Sequence, residues 1–161
     1  MAEGWTDFFV ATAGAGAALV GLIIVAMSVN ISTILSLPGV TSRAAATIGS
    51  LVLLVISAIA ALIPGQPVPL LGTEILLFAV LAAVLAGDAA VRLIRHPPPG
   101  WAGGGWVRAF VAVAQVLPFL AGGILLVVGA EAGLYWVAAG VLAVFVGSVA
   151  TTWVLLVEIL R

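Results

Sequence analysis

Few residues in this chain could do chemistry, and their spacing narrows what that chemistry would be. Six acids, five arginines and one histidine are spread over 161 residues, with no lysine and no cysteine. Asp88 and Arg92 stand four apart, on one helix face and in the favourable acid-before-base order. Glu158 and Arg161 repeat the pairing at a spacing of three. Such pairs act either as a proton or ion relay at an inner mouth or as interfacial salt bridges with snorkelling arginines. Their place near helix ends, away from any midplane, favours the salt bridges. Glu74 falls near the first turn of its helix, where the dipole favours an anion, and reads as an interfacial cap. His96 has no second histidine, no cysteine and no HExxH spacing beside it, so no metal site is expected and haem held between two histidines of one chain is ruled out. Asn30-Ile31-Ser32 matches a glycosylation sequon but falls within a helical run. The Gly-rich pieces follow no strand and no lysine exists to reach a phosphate. No nucleophile stands with a base, so an enzyme in its own right is not expected, nor a cofactor.

Uncharged polar groups inside the apolar runs carry more information. Pro118 removes a backbone hydrogen bond and should bend its helix, freeing the carbonyl near residue 114. Gln115 is a costly amide within the same run and needs a partner across helices or water. Ser28, Asn30, Ser32 and Thr33 on the first run, and Ser148, Thr151 and Thr152 on the last, are candidate partners. Together they read either as a hydrated vestibule or pore lining, or as interhelical hydrogen bonds worth on the order of 1 kcal/mol each.

Small residues form a third pattern. Gly14, Gly21 and Ser28 recur every seven residues, and Ala13, Ala17 and Gly21 every four. Gly133, Gly140 and Gly147 repeat at sevens, followed by Thr151; Ala79, Ala83 and Gly87 recur at fours. In lipid no hydrophobic effect draws helices together, so close approach through small residues does much of that work. Each stripe reads as packing within the bundle, as a subunit interface or as the wall of a narrow pore.

The elements that carry these groups follow from composition. Hydrophobic residues make up 65% of the chain and charged ones 7%, against ~45–50% and ~25% in soluble domains. Eleven charges cannot wet a soluble surface of this size, so lipid is the expected partner of most side chains. A net charge of −1 excludes the basic face that nucleic acid requires. Apolar runs cover about residues 8–35, 43–63, 70–95, 106–128 and 134–160, separated by Pro-Gly breaks and short connections. Each meets the ~20 residues a spanning helix needs. None alternates as a barrel strand would. The expected fold is therefore all-α: one domain of residues 1–161 in a bundle of five transmembrane helices. Thr6 or Asp7 is the expected N-cap of the first helix, and Thr41 or Ser42 that of the second. The acidic start and long first run predict a permanent helix and no cleaved signal.

Orientation comes from charge. With five spans, one side holds Glu3, Asp7, Glu74 and Glu131 and no arginine. Arg43, Arg92, Arg95, Arg108 and Arg161 fall on the other side or in adjoining helix turns. The positive-inside rule then sets the N-terminus outside and the C-terminus in the cytoplasm. Trp5, Tyr135 and Trp136 would mark the outer interface, and Trp101, Trp106 and Trp153 the inner one.

The opening WTDFFVATAGAGAALVGLIIVAMSVN resembles the start of small, uncharacterised bacterial integral-membrane proteins, in which an aromatic-acid-Phe-Phe opening leads into a Gly/Ala-rich helix ending in Ser-x-Asn. The resemblance covers one helix and implies a multi-pass protein of a bacterial inner membrane. It carries no activity and no site residues. The expected function is a self-associating pore or channel for a small ion or solute. It would be lined first by Gly14, Gly21, Ser28 and Asn30, and second by Gln115, Ser148 or Thr151. The alternative is a non-catalytic accessory or scaffold subunit of a larger membrane complex.

Overall fold

The computed structural model describes residues 4–29, 31–36, 40–95, 110–111 and 113–159, and all regular structure among them is helical. In order the helices are α1 (Trp5–Val29), α2 (Ile31–Ser36), α3 (Val40–Ala61), α4 (Val68–Arg95), α5 (Leu117–Val127) and α6 (Gly133–Ile159). Four of them, α1, α3, α4 and α6, are long and apolar enough to cross a membrane. The fourth expected run, 106–128, contains α5, 11 residues long, preceded by helical residues at 110–111 and 113–114. The first run, expected as one helix, holds both α1 and α2.

Helix starts differ from expectation by a few residues. Thr6 and Asp7 lie inside the first turn of α1, and Thr41 and Ser42 inside that of α3, so none is an N-cap. The Thr41 hydroxyl instead donates to the carbonyl of Ile34 at 3.4 Å, tying α3 back to α2. Helix ends follow familiar chemistry. Pro64-Gly65 closes α3 with the Gln66 amide donating to Ile63 at 3.5 Å and Gly65 at φ +70°, a conformation that favours glycine. After α5, Ala130 donates to Leu125 and Gly129 to Leu126, both at 2.9 Å, with Gly129 at φ +82°. These two bonds form a Schellman cap, which satisfies carbonyls that lipid could not.

Helix α3 is the hub. It packs against α1, α4 and α6, while α5 lies between α4 and α6. Within the most apolar stretch of each helix, 61% of α3 is buried but only 22% of α1. Leu51, Leu53, Leu54 and Ala58 of α3 meet Phe9, Ile75, Phe119, Val137 and Val144 in one core. At one end Trp5 packs edge-on to Phe8 and to Tyr135, with ring centroids 5.7 and 5.0 Å apart. The starts of α1 and α6 therefore share an end of the bundle.

Glycine sets the closest contacts. A Cβ at Gly72 of α4 would stand 2.5 Å from the amide nitrogen of Val127 and 2.8 Å from the carbonyl carbon of Leu126. One at Gly122 would stand 2.8 Å from the carbonyl oxygen of Gly133, and one at Gly16 2.6 Å from Leu54. By contrast Gly87 has nothing within 4 Å of that position. Replacing Gly72 by alanine should therefore cost about 1–3 kcal/mol, because backbone must move. Gly87→Ala should leave stability unchanged or raise it by up to about 1 kcal/mol through helix propensity. Unfolding by titrated SDS in mixed micelles reads both; equal losses at the two positions would contradict the packing described.

Candidate functional site

The polar residues singled out by sequence divide between the interior and the surface. Helical geometry is interrupted at Gln115 and Val116, just ahead of Pro118. There the Val116 amide donates to Val113 at 3.0 Å and the Phe119 amide to Val116 at 3.1 Å, tighter turns than an α-helix makes. A continuous helix would bring residue 118 to the carbonyl of Ala114 and residue 119 to that of Gln115. Residue 118 is proline, and Phe119 is drawn to Val116 instead. The Ala114 carbonyl loses the donor that a continuous helix would give it, because proline has no N–H.

The seam of α6 lies over this break. Gly133 faces Gly122 and Leu126, Gly140 faces the ring of Phe119, and Gly147 faces the side chain of Gln115. The three glycines at sevens thus pack within the chain. Ser148 follows Gly147 and is only 2% exposed. Its hydroxyl, and that of Thr152 one turn on, are buried without a hydrogen-bond partner among the described residues. Four other hydroxyls in the bundle settle on their own helix, four residues back. Ser28 donates to Ile24 at 2.8 Å, Thr47 to Arg43 and Ser50 to Ala46 at 3.0 Å, and Thr73 to Pro69 at 2.9 Å. Ser57 of α3 is a third buried hydroxyl with no such partner among the described residues.

The remaining candidates lie on the surface. Gly14, Ala17, Gly21 and Ser28 are exposed along α1, and nothing lies within 4 Å of a Cβ built at Gly14 or Gly21. The glycine that α1 presents to α3 is Gly16. Ala83 packs at the edge of the core, and Gly87 is half-buried. Arg92 donates from Nε to Asp88 at 2.8 Å, both side chains being about half exposed. Glu74, in the second turn of α4, accepts a 2.6 Å bond from the amide of Gln66 and so ties the α3–α4 turn to α4. Asn30, His96 and Arg161, together with residues 97–109, lie outside the described residues, as do the side chains of Thr151 and Glu158. Among the described residues no group of three acids or histidines could hold a metal ion.

Sequence inspection missed Gly16, Gly49, Gly72, Gly122 and Gly123, all of which stand against a neighbouring helix. The adjacent pair Gly122-Gly123 was the available signal. Adjacent helix positions point about 100° apart, so a pair of glycines opens two faces, here toward α6 and α4.

The contacts also rank the seam. A Cβ at Gly147 would meet only the movable tip of Gln115, at 2.5 Å, whereas one at Gly133 would meet the carbonyl oxygen of Gly122 at the same distance. Gly147→Ala should cost less than about 1 kcal/mol and Gly133→Ala about 2 kcal/mol or more. Thermal unfolding of the two variants in one detergent would reverse this order if the seam ran elsewhere.

No protein-family model matches the chain, and neither a curated protein nor a solved structure is significantly similar to it.

Proposed function

We propose that the chain crosses a bacterial inner membrane five times, N-terminus out and C-terminus in, and assembles into a closed ring around a pore for a small ion or solute. The partition of acids and arginines supports the orientation. The shared end of Trp5 and Tyr135 fits four crossings between them. The pore reading rests on one observation: the small-residue face of α1 is open. Gly16, Gly72, Gly122, Gly123, Gly133 and Gly140 are used up by close contacts inside the protomer, while Gly14 and Gly21 are not. That face, with Ser28 toward its end, is left for another surface or for a shared axis. Burial of Ser148 inside the protomer removes it from such an axis and concentrates the lining on Gly14, Gly21, Ser28 and Asn30. Small residues leave width, hydroxyl and amide groups replace part of a hydration shell, and the apolar remainder gates by dewetting. This reading assigns the chain no catalytic activity of its own.

The same open face suits docking on a larger membrane partner, which is the alternative. Three measurements separate the readings. A cysteine introduced at Gly103 should resist an impermeant thiol reagent added to intact cells; labelling from outside overturns the orientation. Native mass in nanodiscs should be a multiple of 16.2 kDa, and should fall toward one protomer in a Gly14→Leu, Gly21→Leu double variant. Liposomes holding the oligomer should show ion flux or solute swelling above empty ones. A ring without flux leaves the docking role.

A further inference from the structure

We propose that the outward face of α4 holds a phospholipid whose head group carries both a primary amine and a phosphate, that is, a phosphatidylethanolamine. The inference needs α4 to cross the membrane and takes nothing from the pore reading. Its first support is the order of residues along one stripe. Leu77, Leu81, Val84, Asp88, Arg92 and Arg95 follow one another at steps of three and four, so they share one side of the helix. All six are exposed. Along the helix the stripe is first apolar, then acidic, then basic. Its dimensions fit one leaflet. Asp88 lies about 30 Å from Val68, where α4 begins, which matches the ~30 Å hydrocarbon core. From Leu77 to Asp88 is about 16 Å, close to half that core. Acyl chain therefore lies along Leu77, Leu81 and Val84, with the head group beside Asp88.

The ion pair fixes the kind of head group. An arginine at a membrane border reaches for water or phosphate on its long stem. Arg92 instead leans back one turn and donates from Nε to Oδ2 of Asp88 at 2.8 Å. Carboxylate and guanidinium thus stand side by side, each about half exposed toward lipid. The bond uses Nε and Oδ2, which leaves Oδ1 to accept and the Nη groups to donate. A carboxylate at this level is costly and demands donors. The ammonium of an ethanolamine supplies them, and its phosphate takes the Nη groups, with Arg95 one turn on adding positive charge. A choline head group has no N–H for Asp88. An anionic head group would meet the arginines but would be repelled by the carboxylate. Surface pairs of this kind are weak singly, so the expected outcome is a preference among lipids that all bind.

The test is native mass spectrometry of the purified protein in a neutral maltoside detergent, offered an equimolar mixture of dioleoyl phosphatidylethanolamine, phosphatidylcholine and phosphatidylglycerol. Ethanolamine lipid should be retained about threefold over each of the others. Asp88→Asn should abolish that preference and favour the glycerol lipid, because the arginines lose their anionic neighbour. Arg92→Gln should lower retention of all three. Both positions are exposed, so neither change threatens the core. Equal retention of the three lipids by the unaltered protein overturns the proposal. A preference for phosphatidylglycerol overturns it too, since arginines alone would then account for binding. So does an ethanolamine preference that Asp88→Asn leaves undiminished. Lipid retention is read in detergent and flux in liposomes, so failure of the pore leaves this result standing, and the reverse.

Discussion

Close approach of one helix backbone to another is the contact on which the bundle depends. Side chains this apolar gain little by leaving lipid for one another, so cohesion has to come from packing at short range. Glycine supplies that range by removing the atom that would hold backbones apart. Helix α5 shows the effect most plainly. Gly123 lets it onto α4 beside Gly72, and Gly122 lets it onto α6 beside Gly133. An 11-residue helix has little surface with which to hold its place, and these two contacts fix it on both sides. The Schellman cap at Gly129 then seals its end without leaving carbonyls exposed.

The break ahead of α5 follows from the same arrangement. Pro118 would cost roughly 3 kcal/mol in an uninterrupted helix. Here the chain takes tighter turns at Val116, and Gly147 leaves room on α6 for the Gln115 side chain that emerges there. The Gln115 side chain thereby meets α6 at Gly147, next to the buried Ser148. Toward the end of α4, Asp88 meets Arg92 on an exposed face.

Much of the fold was legible because apolar run length and Pro-Gly punctuation are strong signals. Runs at 43–63, 70–95 and 134–160 correspond to α3, α4 and α6 within a few residues. Starts were less legible. Thr6 and Thr41 look like caps, but a cap is defined by backbone geometry that a hydroxyl in sequence only suggests. The stripes were least legible. Gly14 and Gly21 carry the same seven-residue spacing as Gly133, Gly140 and Gly147, yet the first pair faces outward and the second set is packed. Spacing shows that residues share a face and is silent on what the face meets. On α1 that choice turns on Gly16, two residues and about 200° from Gly14. For the candidate site, the Pro118 break and the Gln115 amide could be read directly. The unmet hydroxyls of Ser148 and Thr152 could not, because sequence does not tell whether a serine bonds its own helix.

The aromatic clasp at the end of the bundle bears on how the chain is made. Trp5 and Tyr135 touch although 130 residues separate them, from position 5 to position 135. Synthesis delivers α1 before α6, and α1 has α3 as its principal neighbour in the meantime. The α1–α3 hairpin is thus the local unit that can form early, with low loop-closure cost. Trp5, Phe8 and Phe9 then wait beside it until the ribosome has released α6. The ring-on-ring contact therefore closes only after α6 has begun to emerge, and a nascent chain arrested before residue 135 lacks the tyrosine that closes it.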